Sequence, residues 1–125
     1  MSALGKHVIV ELMDCDRQRI SDCDFLRNAL LAACRAAGAT ILGDMFHVFS
    51  PYNGVSGVII IAESHLSVHT WPEYGYAAVD IFACGNTLRP YEAVDLMVRE
   101  LCAADHSVVE LDRGILPSMV AYESK

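Results

Sequence analysis

The sequence predicts an α+β fold, a two-layer sandwich in which an antiparallel sheet carries helices on one of its faces. Short segments that alternate in polarity, or are continuously apolar, are typical of strands, and two longer segments repeat apolar residues at helical spacing. Their order is strand, helix, strands, helix, strand, without the regular alternation of a parallel α/β sheet. A length of 125 residues is that of one domain, residues 1–125.

The strands are predicted from residues that alternate between two faces or form short apolar runs. In the first strand, Val8, Val10 and Leu12 share one face, which is typical of a half-buried strand. A Pro-Tyr-Asn-Gly turn and a Trp-Pro-Glu-Tyr-Gly turn separate later strands. The predicted strands cover residues 7–13, 40–49, 55–62, 65–70, 77–83 and 107–111.

Two helices are predicted, each with one apolar stripe. The first has Ser21 or Asp22 as its N-cap and Gly38 as its C-cap, and the second begins at Pro90. The stripes consist of Leu26, Ala29, Leu30, Ala33 and Ala37 in the first helix, and of Val94, Met97, Val98 and Leu101 in the second. With both helices on one face, we expect a second copy to cover the other face, giving a homodimer.

Charge and hydropathy exclude several classes of partner. The net charge is −7 and only nine residues are Lys or Arg, so we expect no nucleic acid partner. No apolar run approaches the roughly 20 residues that span a bilayer, so we expect no membrane partner. The N-terminus lacks the pattern of a secretion signal, which makes a cytoplasmic location the expectation.

The five cysteines show neither a disulfide framework nor a thiolate metal site. Their number is odd, and no C-x-x-C pair occurs among them. Cys34 and Cys102 lie in apolar helical stripes and are predicted to be small residues that fill the core.

The most specific pattern lies in residues 62–85, A-E-S-H-L-S-V-H-T-W-P-E-Y-G-Y-A-A-V-D-I-F-A-C-G. Further motifs are G-K-H-V-I-V-E-L, F-H-V-F-S-P-Y-N-G-V-S-G and E-L-D-R-G, in residues 5–12, 46–57 and 110–114. Together they resemble the prokaryotic, small-subunit type of S-adenosylmethionine decarboxylase, a self-processing enzyme that depends on a pyruvoyl group. The resemblance implies a decarboxylase whose product is the aminopropyl donor for spermidine synthesis.

Self-cleavage between Glu63 and Ser64 is the first implication of this resemblance. The Ser64 hydroxyl would attack the preceding carbonyl, and elimination would then leave a pyruvoyl group at residue 64 and two chains, residues 1–63 (β chain) and 64–125 (α chain). The resemblance makes His69 the proton acceptor in processing and Ser56 an assistant to the rearrangement. Strict alternation puts Ser64 and His69 on opposite faces of a strand, so the two can meet only if Ser64 lies in a turn or a bent strand end.

Turnover and substrate binding are the second implication. The pyruvoyl ketone would form an imine with the substrate amine and take the place of pyridoxal phosphate. The resemblance makes Cys84 the proton donor to the substrate α-carbon. An aromatic face can stack on adenine and attract a sulfonium, so Phe49 and Trp71 are candidate substrate-binding residues, and Glu73 is a candidate partner of the ribose hydroxyls.

Other interpretations of the same residues stay open. His65 and His69 have an H-x-x-x-H spacing, but they lie in a predicted strand without a glutamate base between them, so we expect no metal. Relatives with the same scaffold can decarboxylate arginine or ornithine, whose distal cation Glu73 or Asp80 could hold. A non-catalytic binding protein of the same fold is a further alternative. It is disfavoured by the presence of Ser64, His69 and Cys84.

Overall fold

The chain forms one antiparallel sheet of six strands, seen in a computed structural model that describes residues 3–117. The strands are β1 Gly5–Met13, β2 Ile41–Phe49, β3 Gly54–Ile61, β4 Ser64–Trp71, β5 Tyr76–Cys84 and β6 Asp105–Arg113. The helices are α1 Arg17–Ile20, α2 Cys23–Ala36 and α3 Pro90–Glu100, and a 3-10 turn covers Pro72–Tyr74.

The strands lie side by side in the order β2-β3-β4-β5-β1-β6, and every neighbouring pair is antiparallel. The strands β2 to β5 follow one another as a meander. β1 then pairs with β5 on one side and with β6 on the other, which places the start of the chain beside its last strand. The two long helices, α2 and α3, pack against each other on one face of the sheet. The predicted α+β sandwich with helices on one face is confirmed.

The core lies between this sheet face and the helices. Val8, Val10 and Leu12 of β1 are at most 1% exposed, as their alternation predicts. Burial of such aliphatic side chains contributes about 1.5–3 kcal/mol each. The helix residues that meet them include Leu26, Leu30 and Ala33 of α2 and Val94 and Met97 of α3.

The opposite sheet face, which we call the open face, carries none of the helices α1 to α3 of the described residues 3–117. Several of its apolar side chains are between 41% and 74% exposed: Met45, Phe49, Ile60, Trp71, Val109 and Leu111. Such a cluster of exposed apolar residues on a small domain marks an interaction surface. The open face also holds the chemically active side chains described below.

Two details differ from the sequence prediction. The short helix α1 was not predicted, because four residues are too few for a helical period; the Asp16 side chain caps it by accepting from the Gln18 and Arg19 amides. The prediction that Cys102 fills the core is wrong, since its side chain is exposed. Helix α3 ends at Glu100, and Cys102 follows with a φ of +54°, which turns the chain off the helical stripe. Cys34 is buried, as predicted.

Among residues 3–117, no helix is long and apolar enough to cross a membrane.

Candidate active site

A tight turn between β3 and β4 presents the Glu63–Ser64 peptide bond. The turn is anchored to Thr40, whose carbonyl accepts from the Ala62 amide at 2.8 Å. The Glu63 carboxylate accepts from the Thr40 amide at 3.1 Å and from its hydroxyl at 3.3 Å. The bond from the Thr40 amide is the main reason that the pKa of Glu63 lies below its ordinary value. The two residues before the bond, Ala62 and Glu63, are therefore held by hydrogen bonds to Thr40.

Ser64 has an unusual backbone conformation. Its φ is +145°, a region that residues with a β-carbon rarely adopt and that costs about 1–3 kcal/mol. The carbonyl of Glu63 accepts a hydrogen bond from the Cys84 amide at 2.9 Å. A backbone N–H so placed can stabilise negative charge that develops on this oxygen when the carbonyl is attacked. The geometry combines a strained peptide with a polarised carbonyl.

The Ser64 hydroxyl meets a chain of polar side chains on the open face. Its oxygen lies 3.4 Å from His65 Nδ1, and His65 Nε2 lies 3.1 Å from Asp80 Oδ2. His7 Nε2 contacts the same Asp80 oxygen at 2.6 Å, and the Ser67 hydroxyl donates to Oδ1. Burial alone would raise the pKa of Asp80, but the hydrogen bonds from Ser67, His7 and His65 outweigh it and lower the pKa. Asp80 is thus a charged carboxylate held by three donors.

A second group of side chains surrounds His69, at the other end of β4. His69 pairs with Ser56 across the β3–β4 register, which brings its Nδ1 within 2.9 Å of the Ser56 hydroxyl. Both line a cleft of about 320 Å³. Phe49, Trp71 and Glu73 line the same cleft, with Phe49 half exposed. A ring-lined cleft with one carboxylate can take a flat, hydroxyl-bearing ligand.

The predicted site residues therefore form two groups and not one. The first, the Ser64 group, consists of Glu63, Ser64, His65, Asp80 and Cys84. The second, the His69 group, consists of Phe49, Ser56, His69, Trp71 and Glu73. Ser64 lies directly after a turn, as the sequence argument requires, but this bend does not bring it to His69. Five positions of one strand separate the two residues, which corresponds to roughly 16 Å.

Sequence reasoning missed the network around Asp80. It considered His65 only as part of a metal pair with His69, yet four positions of a strand separate these two by roughly 13 Å, too far to share one ion. The ligand atoms of His7, His65 and Asp80 do lie within 4.8 Å of one another and are the set among the described residues that could hold a metal. The alternation of β4 and β5 about their turn places His65 and Asp80 on one face, but His7 joins them only because β1 pairs with β5.

Comparison with known proteins agrees with this fold. The family model described as S-adenosylmethionine decarboxylase matches residues 6–114. An S-adenosylmethionine decarboxylase proenzyme from Pseudomonas aeruginosa is 48% identical over 115 residues, covering 92% of this chain and 71% of the relative. The proenzyme of the same name from Thermodesulfovibrio yellowstonii is 46% identical over 130 residues, covering 98% of this chain and 96% of the relative.

A solved structure extends the likeness to three dimensions. The crystal structure of the adenosylmethionine decarboxylase from Aquifex aeolicus matches with a TM-score of 0.84 at 33% identity, covering 93% of this chain and 95% of that one. These matches define the class of protein as a decarboxylase. The chain belongs to the S-adenosylmethionine decarboxylase family, which confirms the family and the enzyme class predicted from the sequence.

Proposed function

We propose that this chain is a self-processing decarboxylase that acts on S-adenosylmethionine through a pyruvoyl group made from Ser64. The observation that carries the proposal is the geometry of the Glu63–Ser64 bond, in which a strained serine follows a carbonyl that accepts from the Cys84 amide at 2.9 Å. The relatives support it, since they are named proenzymes. Cleavage would give a β chain of residues 1–63 and an α chain of residues 64–125.

Processing begins at Ser64. Its Oγ attacks the Glu63 carbonyl carbon, the Cys84 amide stabilises the resulting oxyanion, and the C–N bond breaks to leave an ester and a free amine. His69 of a second copy then removes the α-proton of residue 64, and elimination releases Glu63 as a carboxylate. The remaining dehydroalanine tautomerises to an imine, which water hydrolyses to the ketone with release of ammonia. Ser56 supports His69 through the hydrogen bond to Nδ1.

The residues present fit a pyruvoyl group at position 64. The position lies at the start of β4, beside the exposed thiol of Cys84 at the end of β5, where two central strands of the sheet end. When present, the ketone supplies an electron sink for decarboxylation without pyridoxal phosphate or a metal. Cys84 holds a proton at Sγ for the substrate α-carbon. Phe49 and Trp71 offer faces to the adenine and the sulfonium, and Glu73 offers a carboxylate to the ribose hydroxyls.

The distance between the two groups supports a homodimer as the active form. A two-fold axis reverses the direction of β4 in the second copy. If the axis runs parallel to the open face and crosses β4 between Leu66 and Ser67, it places the Ser64 group of one copy over the His69 group of the other. The exposed apolar residues of the open face would be buried in the same contact. Each active site would then combine Ser64 and Cys84 of one copy with His69 and the cleft of its partner.

The family and the composition support the proposed substrate and location. None of the relatives named above is a decarboxylase of arginine or ornithine, so the alternative substrates are not favoured. The low content of Lys and Arg argues against a nucleic acid partner. A polyamine-forming enzyme with five cysteines and no disulfide framework suits the cytoplasm.

Mass spectrometry and a carbon dioxide assay test the proposal. The purified protein should separate into the two fragments, the second blocked to Edman sequencing because a ketone replaces its amine. Ser64→Ala should stay one chain, and Ser107→Ala, a serine of β6 far from the turn, is the matched control that should cleave normally. When S-adenosylmethionine, arginine and ornithine are supplied at equal concentrations, carbon dioxide release should be fastest from S-adenosylmethionine. Cleavage of Ser64→Ala at the same bond would contradict the processing mechanism.

A further inference from the structure

We propose that His65 is a further catalytic residue of self-processing, which takes the hydroxyl proton of Ser64 during the acyl shift while Asp80 positions it. The inference rests on the proposed self-processing of the Glu63–Ser64 bond. It is carried by one continuous set of contacts, from the Ser64 hydroxyl to His65 Nδ1 at 3.4 Å and from His65 Nε2 to Asp80 Oδ2 at 3.1 Å.

The geometry selects one tautomer of His65. Asp80 is a charged acceptor, so the nitrogen that faces it, Nε2, carries the proton. Nδ1 is then the free base, and it is the nitrogen that faces the Ser64 hydroxyl. A serine, an imidazole and a carboxylate in this order are the arrangement that activates hydroxyl nucleophiles in unrelated enzymes. A contact of 3.4 Å is within the range that a general base shows before its substrate is fully engaged.

Asp80 is suited to hold this imidazole in place. Its other oxygen accepts from Ser67 of β4, and His7 donates to Oδ2 from β1, so both strands that neighbour β5 fix the carboxylate. These same contacts keep it ionised despite partial burial. When His65 becomes an imidazolium, the charge of Asp80 faces it directly. Asp80 therefore acts through His65 and is a positioning residue.

The acyl shift and the elimination need two different proton transfers. In the shift, the Ser64 Oγ–H proton passes to His65 Nδ1, the new C–O bond forms, and the C–N bond breaks. The same proton then goes from His65 to the departing nitrogen, so the step is balanced without any co-reactant. In the elimination, the proton leaves the α-carbon of residue 64. His69 of the same chain lies roughly 16 Å from Ser64 along the strand, whereas His65 Nδ1 already contacts the hydroxyl.

Hydroxylamine trapping separates the two steps. A His69→Ala variant should stop at the ester, which hydroxylamine cleaves to give residues 1–63 as a hydroxamate and residues 64–125 with a free serine amine. Adding His65→Gln to this variant should slow that cleavage by about 10²-fold or more, the range of general base catalysis. Glutamine can still donate to Asp80 but offers no base. His106→Gln in the exposed part of β6 is the matched control and should not change the rate.

Two further measurements distinguish catalysis from a structural role. His65→Ala in the otherwise native chain should process slowly, and added imidazole should restore cleavage in proportion to its concentration, which it cannot do for a misfolded chain. Asp80→Asn should slow ester formation by about tenfold or more because it cannot balance the imidazolium charge. Asp80→Glu restores the carboxylate and should recover part of the rate.

The outcomes also separate this inference from the proposed function. If the native chain stays uncleaved while Ser64, His69 and His65 are all present, the proposed self-processing fails. If the native chain cleaves and His65→Gln forms ester at the rate of its His69→Ala parent, the processing stands and the role of His65 is refuted. The role of His65 would also be refuted if the His65→Ala variant lost ester formation, did not respond to imidazole and still melted at the native temperature.

Discussion

Mixing two inactive variants provides the sharpest test of a shared active site. In the proposed dimer, Ser64 of one copy meets His69 of the other, because five strand positions keep these residues roughly 16 Å apart within a chain. Neither Ser64→Ala nor His69→Ala should complete cleavage alone. A mixed dimer, however, pairs an intact Ser64 in the His69→Ala chain with the intact His69 of the Ser64→Ala chain.

Random pairing sets the expected magnitude. When equal amounts of the two chains are co-expressed, about half of the His69→Ala chains find a Ser64→Ala partner in a two-fold dimer, so about half of them should cleave to the pyruvoyl form. Different affinity tags on the two chains allow each to be followed by mass spectrometry. If mixed dimers are isolated through both tags and no His69→Ala chain within them is cleaved, the shared-site argument is refuted.

Three further predictions concern turnover, substrate binding and assembly. Cys84→Ala should still divide into two chains but decarboxylate about 10²–10⁴-fold more slowly, as measured by carbon dioxide release, and full turnover would remove the thiol from the mechanism. Phe49→Ala should lose about 1–3 kcal/mol of stacking, hence roughly tenfold or more in kcat/KM for S-adenosylmethionine, with cleavage intact. Ile60→Asp places a charge on the open face and should give monomers in size-exclusion chromatography that do not process; processing by these monomers would contradict the shared site.

Periodicity predicted the elements because each has one buried face. Val8, Val10 and Leu12 alternate since β1 meets helices on one side only, and Asp22 caps α2 by accepting from the Phe25 amide at 3.1 Å. Periodicity could not predict a helix of a single turn, nor the residue at which a longer helix ends. Helix α1 has four residues, and Cys102 continues the apolar spacing of α3 although the chain has already left the helix.

The site was predictable as a set of residues but not as an arrangement. The resemblance supplied Ser64, His69 and Cys84, and the rise of an extended strand is enough to show that the first two cannot meet within β4. The contact of Asp80 with His7 could not be predicted from the sequence. It depends on the pairing of β1 with β5, a long-range register that leaves no local signal. Local patterns report which face a side chain occupies, whereas catalytic geometry depends on which strands become neighbours.

The Asp80 network should also make stability depend on pH in a definite direction. The pKa of Asp80 is lower in the folded chain than its ordinary value of 3.8, because hydrogen bonds from Ser67, His7 and His65 outweigh the opposing effect of burial. The folded state thus favours the charged carboxylate. The contribution of this carboxylate to the free energy of unfolding is complete at pH values above its ordinary pKa. That contribution is lost as the pH falls through the lower pKa of the folded state.

Urea unfolding of native and Asp80→Asn proteins at several pH values measures this contribution. The native protein should have the higher free energy of unfolding near pH 5, and the difference should narrow as the pH falls below the ordinary value of 3.8 and through the lower folded value, below which the carboxylate is protonated in both states. Asp95→Asn, which changes an exposed carboxylate on α3, is the matched control and should follow the native curve closely. A difference between native and Asp80→Asn proteins that stays constant over this range would show that the network stabilises the fold through shape and not through charge, and would remove the electrostatic basis for Asp80 as the residue that positions His65.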